Sequence, residues 1–127
     1  MTAPTVLVAE DNPGLARVLS FKLRTTGMLP TVCRDGVEAW EAFETRRPTA
    51  VVSDLLMPGM TGLELVERIR AVATPEEVPF VLVTGRQLQV NVEELRERYG
   101  IAAVLSKPIS PTDLCHLLRD LIATAAV

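Results

Sequence analysis

The sequence predicts a doubly wound α/β sandwich: a parallel five-stranded sheet with helices on both faces. Two observations carry this. Short, continuously apolar runs recur along the chain, the pattern of strands covered on both sides. Each run is followed by a stretch with helical periodicity and a recognisable helix start. Repeats of strand then helix imply right-handed crossovers, which set helices on both faces of one sheet. At 127 residues the chain fits one domain, residues 1–127, and can bury a core without a metal or disulfide staple.

The predicted strands are Thr5–Ala9 (TVLVA), Pro30–Cys33 (PTVC), Ala50–Ser53 (AVVS), Phe80–Thr84 (FVLVT) and Ala102–Leu105 (AAVL). The second run is the least apolar, which suits an edge strand. Asn12-Pro13 supplies an N-cap and a proline at the first helical position, ahead of Leu15, Val18, Leu19 and Leu23 on one face. Asp35 with Glu38 reads as a capping box before Ala39, Trp40 and Phe43, and Thr61 with Glu64 repeats it before Leu65, Val66 and Ile69. Val92, Leu95 and Tyr99 mark a shorter helix closed by Gly100. Ser110-Pro111 opens the last helix, whose stripe is Leu114, Leu117, Leu118, Leu121 and Ile122.

Composition narrows the function. The net charge of −3 and the scattered basic residues argue against nucleic acid as a partner. Neither a secretion signal nor an apolar run of membrane-spanning length is visible, so a cytoplasmic domain without a membrane partner is expected. Cys33 and Cys115 lie far apart with no paired spacing, as expected of reduced, buried thiols. Aromatics make up 4% of residues, so the core is expected to be largely aliphatic. His116, the single histidine, lies on the last helix at an expected surface or half-buried position, and Trp40 and Tyr99 read as packing residues.

Chemistry concentrates at the strand ends. In open α/β sheets, ligands bind beyond the carboxyl ends of the strands, where the strand order reverses. Those ends carry Glu10-Asp11, Asp54, Thr84 and Ser106-Lys107-Pro108. With the first and third strands adjacent, three carboxylates converge, and such crowding demands a compensating cation. Oxygen ligands suit Mg²⁺. Lys107 would supply positive charge and Thr84 a hydroxyl donor at the rim. A divalent ion, a lysine and a hydroxyl around one carboxylate form a phosphoryl-transfer site, with Asp54 as nucleophile giving a mixed acyl phosphate. Taken singly, each residue has an ordinary role: Glu10 and Asp11 as helix-start charges, Thr84 as a turn residue, Lys107 as a solvated strand-end lysine. Their joint placement at four strand ends outweighs those separate readings.

These residues resemble the receiver domain of two-component response regulators, over essentially the whole chain. The resemblance rests on the acidic pair Glu10-Asp11, the block DLLMPGMTG from Asp54 to Gly62, Thr84, and Lys107-Pro108. It implies the flavodoxin-like strand order 2-1-3-4-5. It implies phosphorylation of Asp54, with Asp11, Asp54 and the Leu56 carbonyl on Mg²⁺ directly and Glu10 largely through water. It also implies that Thr84 and Lys107 contact phosphoryl oxygens, that the Lys107–Pro108 bond is cis, and that the partner is a histidine kinase or a phosphotransfer protein. The domain would catalyse only its own phosphorylation and dephosphorylation. The downstream target, phosphoryl lifetime and oligomeric state stay open.

One departure stands out. Val104 occupies the position where the family usually carries Tyr, Phe or His, a side chain that rotates inward as the hydroxyl at Thr84 moves. Phosphoryl chemistry is therefore expected with altered switching at Thr84 and Val104. Leu56 and Arg86 fall two positions beyond Asp54 and Thr84, flanking the path of hydrolytic water in this family. The following loop, TGRQLQVNVEEL, has a less regular helix start and is expected to be mobile. An aspartate-nucleophile phosphatase is disfavoured because Leu56 stands where a second acid is needed. A flavodoxin-like cofactor carrier is disfavoured because AEDNPG is acidic where a phosphate loop belongs. The remaining alternative is a receiver-like protein-binding module that acts without phosphorylation.

Overall fold

The computed structural model describes residues 3–85 and 90–125. Five strands, β1 (Thr5–Ala9), β2 (Leu29–Cys33), β3 (Ala50–Asp54), β4 (Phe80–Thr84) and β5 (Ala103–Ser106), form one parallel sheet in the order β2-β1-β3-β4-β5. They alternate with α1 (Pro13–Thr25), α2 (Gly36–Thr45), α3 (Gly62–Arg70), α4 (Val92–Tyr99) and α5 (Pro111–Ala125). The doubly wound fold and its flavodoxin-like order are as expected. Strand bounds shift by one residue at four places: ladder pairing extends to Leu29, Asp54 and Ser106, and β5 begins at Ala103 instead of Ala102.

The pleat divides the core into two layers. Leu7, Ala9, Val51, Phe80 and Leu82 pack under α2, α3 and α4 with Phe43, Leu65, Val66, Ile69 and Leu95. Val6, Val8, Ala50, Val52, Val81 and Val83 pack under α1 and α5 with Leu19, Leu23, Leu114, Cys115 and Leu118. Burial on both faces explains why these strands read as unbroken apolar runs. The buried aromatics Phe43 and Phe80 add ring packing to a mostly aliphatic interior.

Edge strand β2 behaves differently, with a largely exposed face. The Leu29 N–H donates to the Pro4 carbonyl on the β1 side. Alternation therefore turns position 30 outward, where proline has no N–H to offer another chain.

Helix starts follow the sequence signals. Asn12, Asp35, Thr61 and Asn91 each accept a backbone N–H three residues on, and Ser110 does the same for Asp113. Of the two expected capping boxes, Thr61–Glu64 forms the full reciprocal pair, whereas Asp35–Glu38 makes its forward half. Val18 also departs from expectation. It is 50% exposed because α1 packs through Ala16, Leu19 and Leu23 instead. On α5, Cys115 belongs to the buried stripe, while Leu117, Leu121 and Ile122 are half-buried. His116 is exposed, and Trp40 and Tyr99 are half-buried packing residues.

Candidate functional site

Beyond the carboxyl ends of β1, β3, β4 and β5, the chain assembles one crevice. β1 delivers Glu10 and Asp11 and β3 delivers Asp54, and neighbouring pairing of these strands brings them together. Carboxylate oxygens of Glu10, Asp11 and Asp54 lie within 4.8 Å of one another. Asp54 and Glu10 are buried, and Asp11 is exposed. The Lys107 ammonium enters from the end of β5 and bridges the buried pair, 2.9 Å from Asp54 Oδ2 and 3.0 Å from Glu10 Oε1.

Glu10 is held from two further directions. Its backbone N–H donates to the Cys33 carbonyl at 3.0 Å, and its Oε2 accepts the Asn12 N–H at 3.0 Å. Burial pushes its carboxyl above the usual range and the Asp54 charge adds to this, against the Asn12 and Lys107 hydrogen bonds. Burial alone would lower the Lys107 ammonium, but hydrogen bonds and charge from Asp54 and Glu10 outweigh it and hold the group above its ordinary value. This lysine stays charged wherever the protein is folded near neutrality.

Thr84, expected at the rim, is only 2% exposed. As the last residue of β4 it is covered by its neighbours, and its carbonyl accepts the Lys107 N–H at 2.8 Å. Thr84 is thus enclosed where an exposed rim position was expected. The Lys107–Pro108 peptide is cis, as expected. Leu56 sits in the loop directly after β3 and is 56% exposed. Val104 is half-buried on β5 and packs on the α2–α4 layer. Arg86 and the centre of the expected mobile loop, residues 86–89, lie outside the described residues.

Two residues escaped the sequence reading. Ser53 is fully buried and donates its hydroxyl to the Asp54 carbonyl at 2.9 Å, steadying the backbone that carries the acid. A lone serine in AVVSD was its signal. Asn12 was legible as a helix cap, but its second task, the N–H that orients Glu10, depends on how the turn folds.

The donor set fits a hard divalent cation: three carboxylates crowd one spot, and one lysine cannot neutralise them. Fold and site together define a flavodoxin-like α/β protein with an acid–lysine crevice at its topological switch point. The sequence matches the response regulator receiver domain over residues 6–119, and the chain belongs to that family. It is 43% identical over 109 residues to protein-glutamate methylesterase/protein-glutamine glutaminase 4 of Myxococcus xanthus, covering 84% of this chain and 30% of that protein. It is 32% identical over 122 residues to sensory transduction protein RegX3 of Mycolicibacterium smegmatis, covering 96% of this chain and 52% of that one. The chain thus spans about half or less of these two relatives. Among solved structures, the receiver domain of sensor histidine kinase PA1611 from Pseudomonas aeruginosa matches with a TM-score of 0.81 and 29% identity, covering 96% of this chain and 99% of that one. That domain is described with a magnesium ion coordinated in its active site cleft. Among the described residues of the present chain, no helix is long and apolar enough to cross a membrane.

Proposed function

We propose that this receiver domain accepts a phosphoryl group on Asp54 from a histidine kinase or a phosphotransfer protein and passes the signal on through protein contacts. The observation that carries the reading is the Lys107 bridge between Asp54 and Glu10 beside the exposed Asp11. Asp11, Asp54 and the Leu56 carbonyl would hold Mg²⁺, with Glu10 acting largely through water. When bound, the ion supplies positive charge that screens the crevice acids from an incoming phosphate.

The chain's own residues do the rest. Asp54 is an anion without needing a general base, so one oxygen attacks phosphorus as the donor's bond to phosphorus breaks and the donor leaves with those electrons. Lys107 moves from pairing with the Asp54 oxygen to pairing with a phosphoryl oxygen, holding charge where charge accumulates. The Thr84 hydroxyl donates to a second phosphoryl oxygen. Water then attacks the aspartyl phosphate, returning the carboxylate and inorganic phosphate. With Val104 on β5, the Thr84 movement has no aromatic rotamer to accompany it, so switching runs through the backbone.

The test is intact mass after incubation with Mg²⁺ and acetyl phosphate. One added phosphoryl group, absent in Asp54→Asn and without Mg²⁺, is expected. A parent protein that stays unlabelled would overturn the reading. It would favour the phosphorylation-independent binding module, which Val104 keeps in play.

A further inference from the structure

Helix α3 meets the crevice with its first residue and the far end of α4 with its last. At Gly62 a Cβ would come within 2.5 Å of the Asp54 carbonyl oxygen and 2.9 Å of Leu82 Cδ1. The helix start is thus pressed onto the backbone that carries the acid, and the Gly62 N–H donates to the Leu55 carbonyl at 2.8 Å. The Thr61–Glu64 box fixes the first turn, and Leu65, Val66 and Ile69 bury the length of the helix.

At the other end Arg70 grips several carbonyls. Its Nε donates to the Tyr99 carbonyl at 2.6 Å and its Nη1 to the Val78 carbonyl at 2.9 Å, with longer contacts to Thr74 and Ala73. Nη2 is buried without a protein acceptor among the described residues, a spare donor on the same rigid fork. Tyr99 closes α4, and Gly100 turns the chain in the left-handed region against Pro75 before buried Ile101 leads towards β5. Along α4 itself only Leu95 is buried. Much of what fastens this helix is therefore at its C-terminal end.

We propose that α3 is a rod carrying a displacement at Asp54 to the α4–β5 turn, and that Arg70 is the positioning residue that fastens it there. The inference rests on Asp54 being the phosphoacceptor. A nine-residue helix spans about 13 Å and is stiff along its axis. With no slack at Gly62, a small backbone shift at Asp54 moves the whole rod. The planar guanidinium then shifts the Tyr99 carbonyl or exchanges carbonyls through its free arm, two packed arrangements of one clamp. This route needs no aromatic side chain at position 104.

The test uses the ¹⁵N-labelled full chain, titrated with Mg²⁺ and beryllofluoride as a phosphoryl mimic. Amides of residues 55–57 and 59–62 report occupation at Asp54. Amides of Tyr99, Gly100 and Ile101, with the Arg70 Nε–H, report the far end. Both sets are expected to shift together in the parent protein. In Arg70→Lys and Arg70→Gln the near set should keep its shift while the far amides fall to less than half of theirs. A silent far set in the parent, or a full far response in the variants, overturns the rod. A silent near set removes the phosphoacceptor reading itself, and the rod with it. If neither variant folds, the parent decides: a stationary Arg70 Nε–H beside a shifting near set overturns the proposal, and one that follows the same titration curve supports it.

Discussion

Removing the Lys107 charge tests the electrostatic logic of the crevice most directly. The ammonium lies 2.9 Å from Asp54 and 3.0 Å from Glu10. Lys107→Met leaves those two carboxylates with oxygens within 4.8 Å and no internal cation between them. Two unit charges at that separation repel by about 3.5 kcal/mol at an effective dielectric of ~20, and by about 0.9 kcal/mol in water. The lysine side chain is 30% exposed, so the crevice lies between these limits. In metal-free buffer we expect the variant to lose about 1–3 kcal/mol, a fall in Tm of several degrees for a chain of this size. Millimolar Mg²⁺ should recover more stability in the variant than in the parent, because a divalent ion supplies the missing charge. Urea unfolding of both proteins, in EDTA and in Mg²⁺, measures the difference. A variant as stable as the parent in EDTA, or a deficit that Mg²⁺ leaves unchanged, refutes the reasoning.

Two further outcomes follow from other parts of the fold. Burial first, then the nearby Glu38 and Asp35 charges, push the Cys33 thiol up to about 11 from 9.0. Its contribution to stability is therefore fully present below pH 9 and is lost as pH rises through about 11, and native alkylation at pH 8 should leave Cys33 unmodified until the protein is unfolded; rapid native labelling would contradict this. Gly100 sits at φ +62° with Pro75 occupying the space of a Cβ, so Gly100→Ala should cost about 1–2 kcal/mol from the backbone alone, with the clash added. A melt within about 0.5 kcal/mol of the parent, the range of an ordinary surface change, would show that the α4–β5 turn adapts freely.

Much of the site was legible because its chemistry sits at positions that a parallel sheet must bring together. Glu10, Asp11, Asp54, Thr84 and Lys107 each follow or end an apolar run, and strand ends of a doubly wound sheet face one crevice. Thr84 was misplaced at the rim because sequence gives the end of a strand but not what covers it. Val18 was misread for a related reason. Its spacing on α1 suits an apolar stripe, yet the helix rotation that buries Ala16 turns it to solvent. The roles of Ser53 and of the Asn12 N–H went unread because each depends on one hydrogen bond made after folding: the lone serine of AVVSD marked a position, not a partner.

By itself the sequence determined the alternation of strands and helices, the helix caps, the edge position of β2, and the identity of the groups at the strand ends. These follow from local patterning, which has a fixed period and needs no partner. Only the tertiary structure decided that Lys107 spans Asp54 and Glu10 at once, and that Gly62 rests on the Asp54 carbonyl while Arg70 holds the end of α4. Such contacts join residues separated by tens of positions, and their distances are set by how whole helices and strands pack. No local period encodes them.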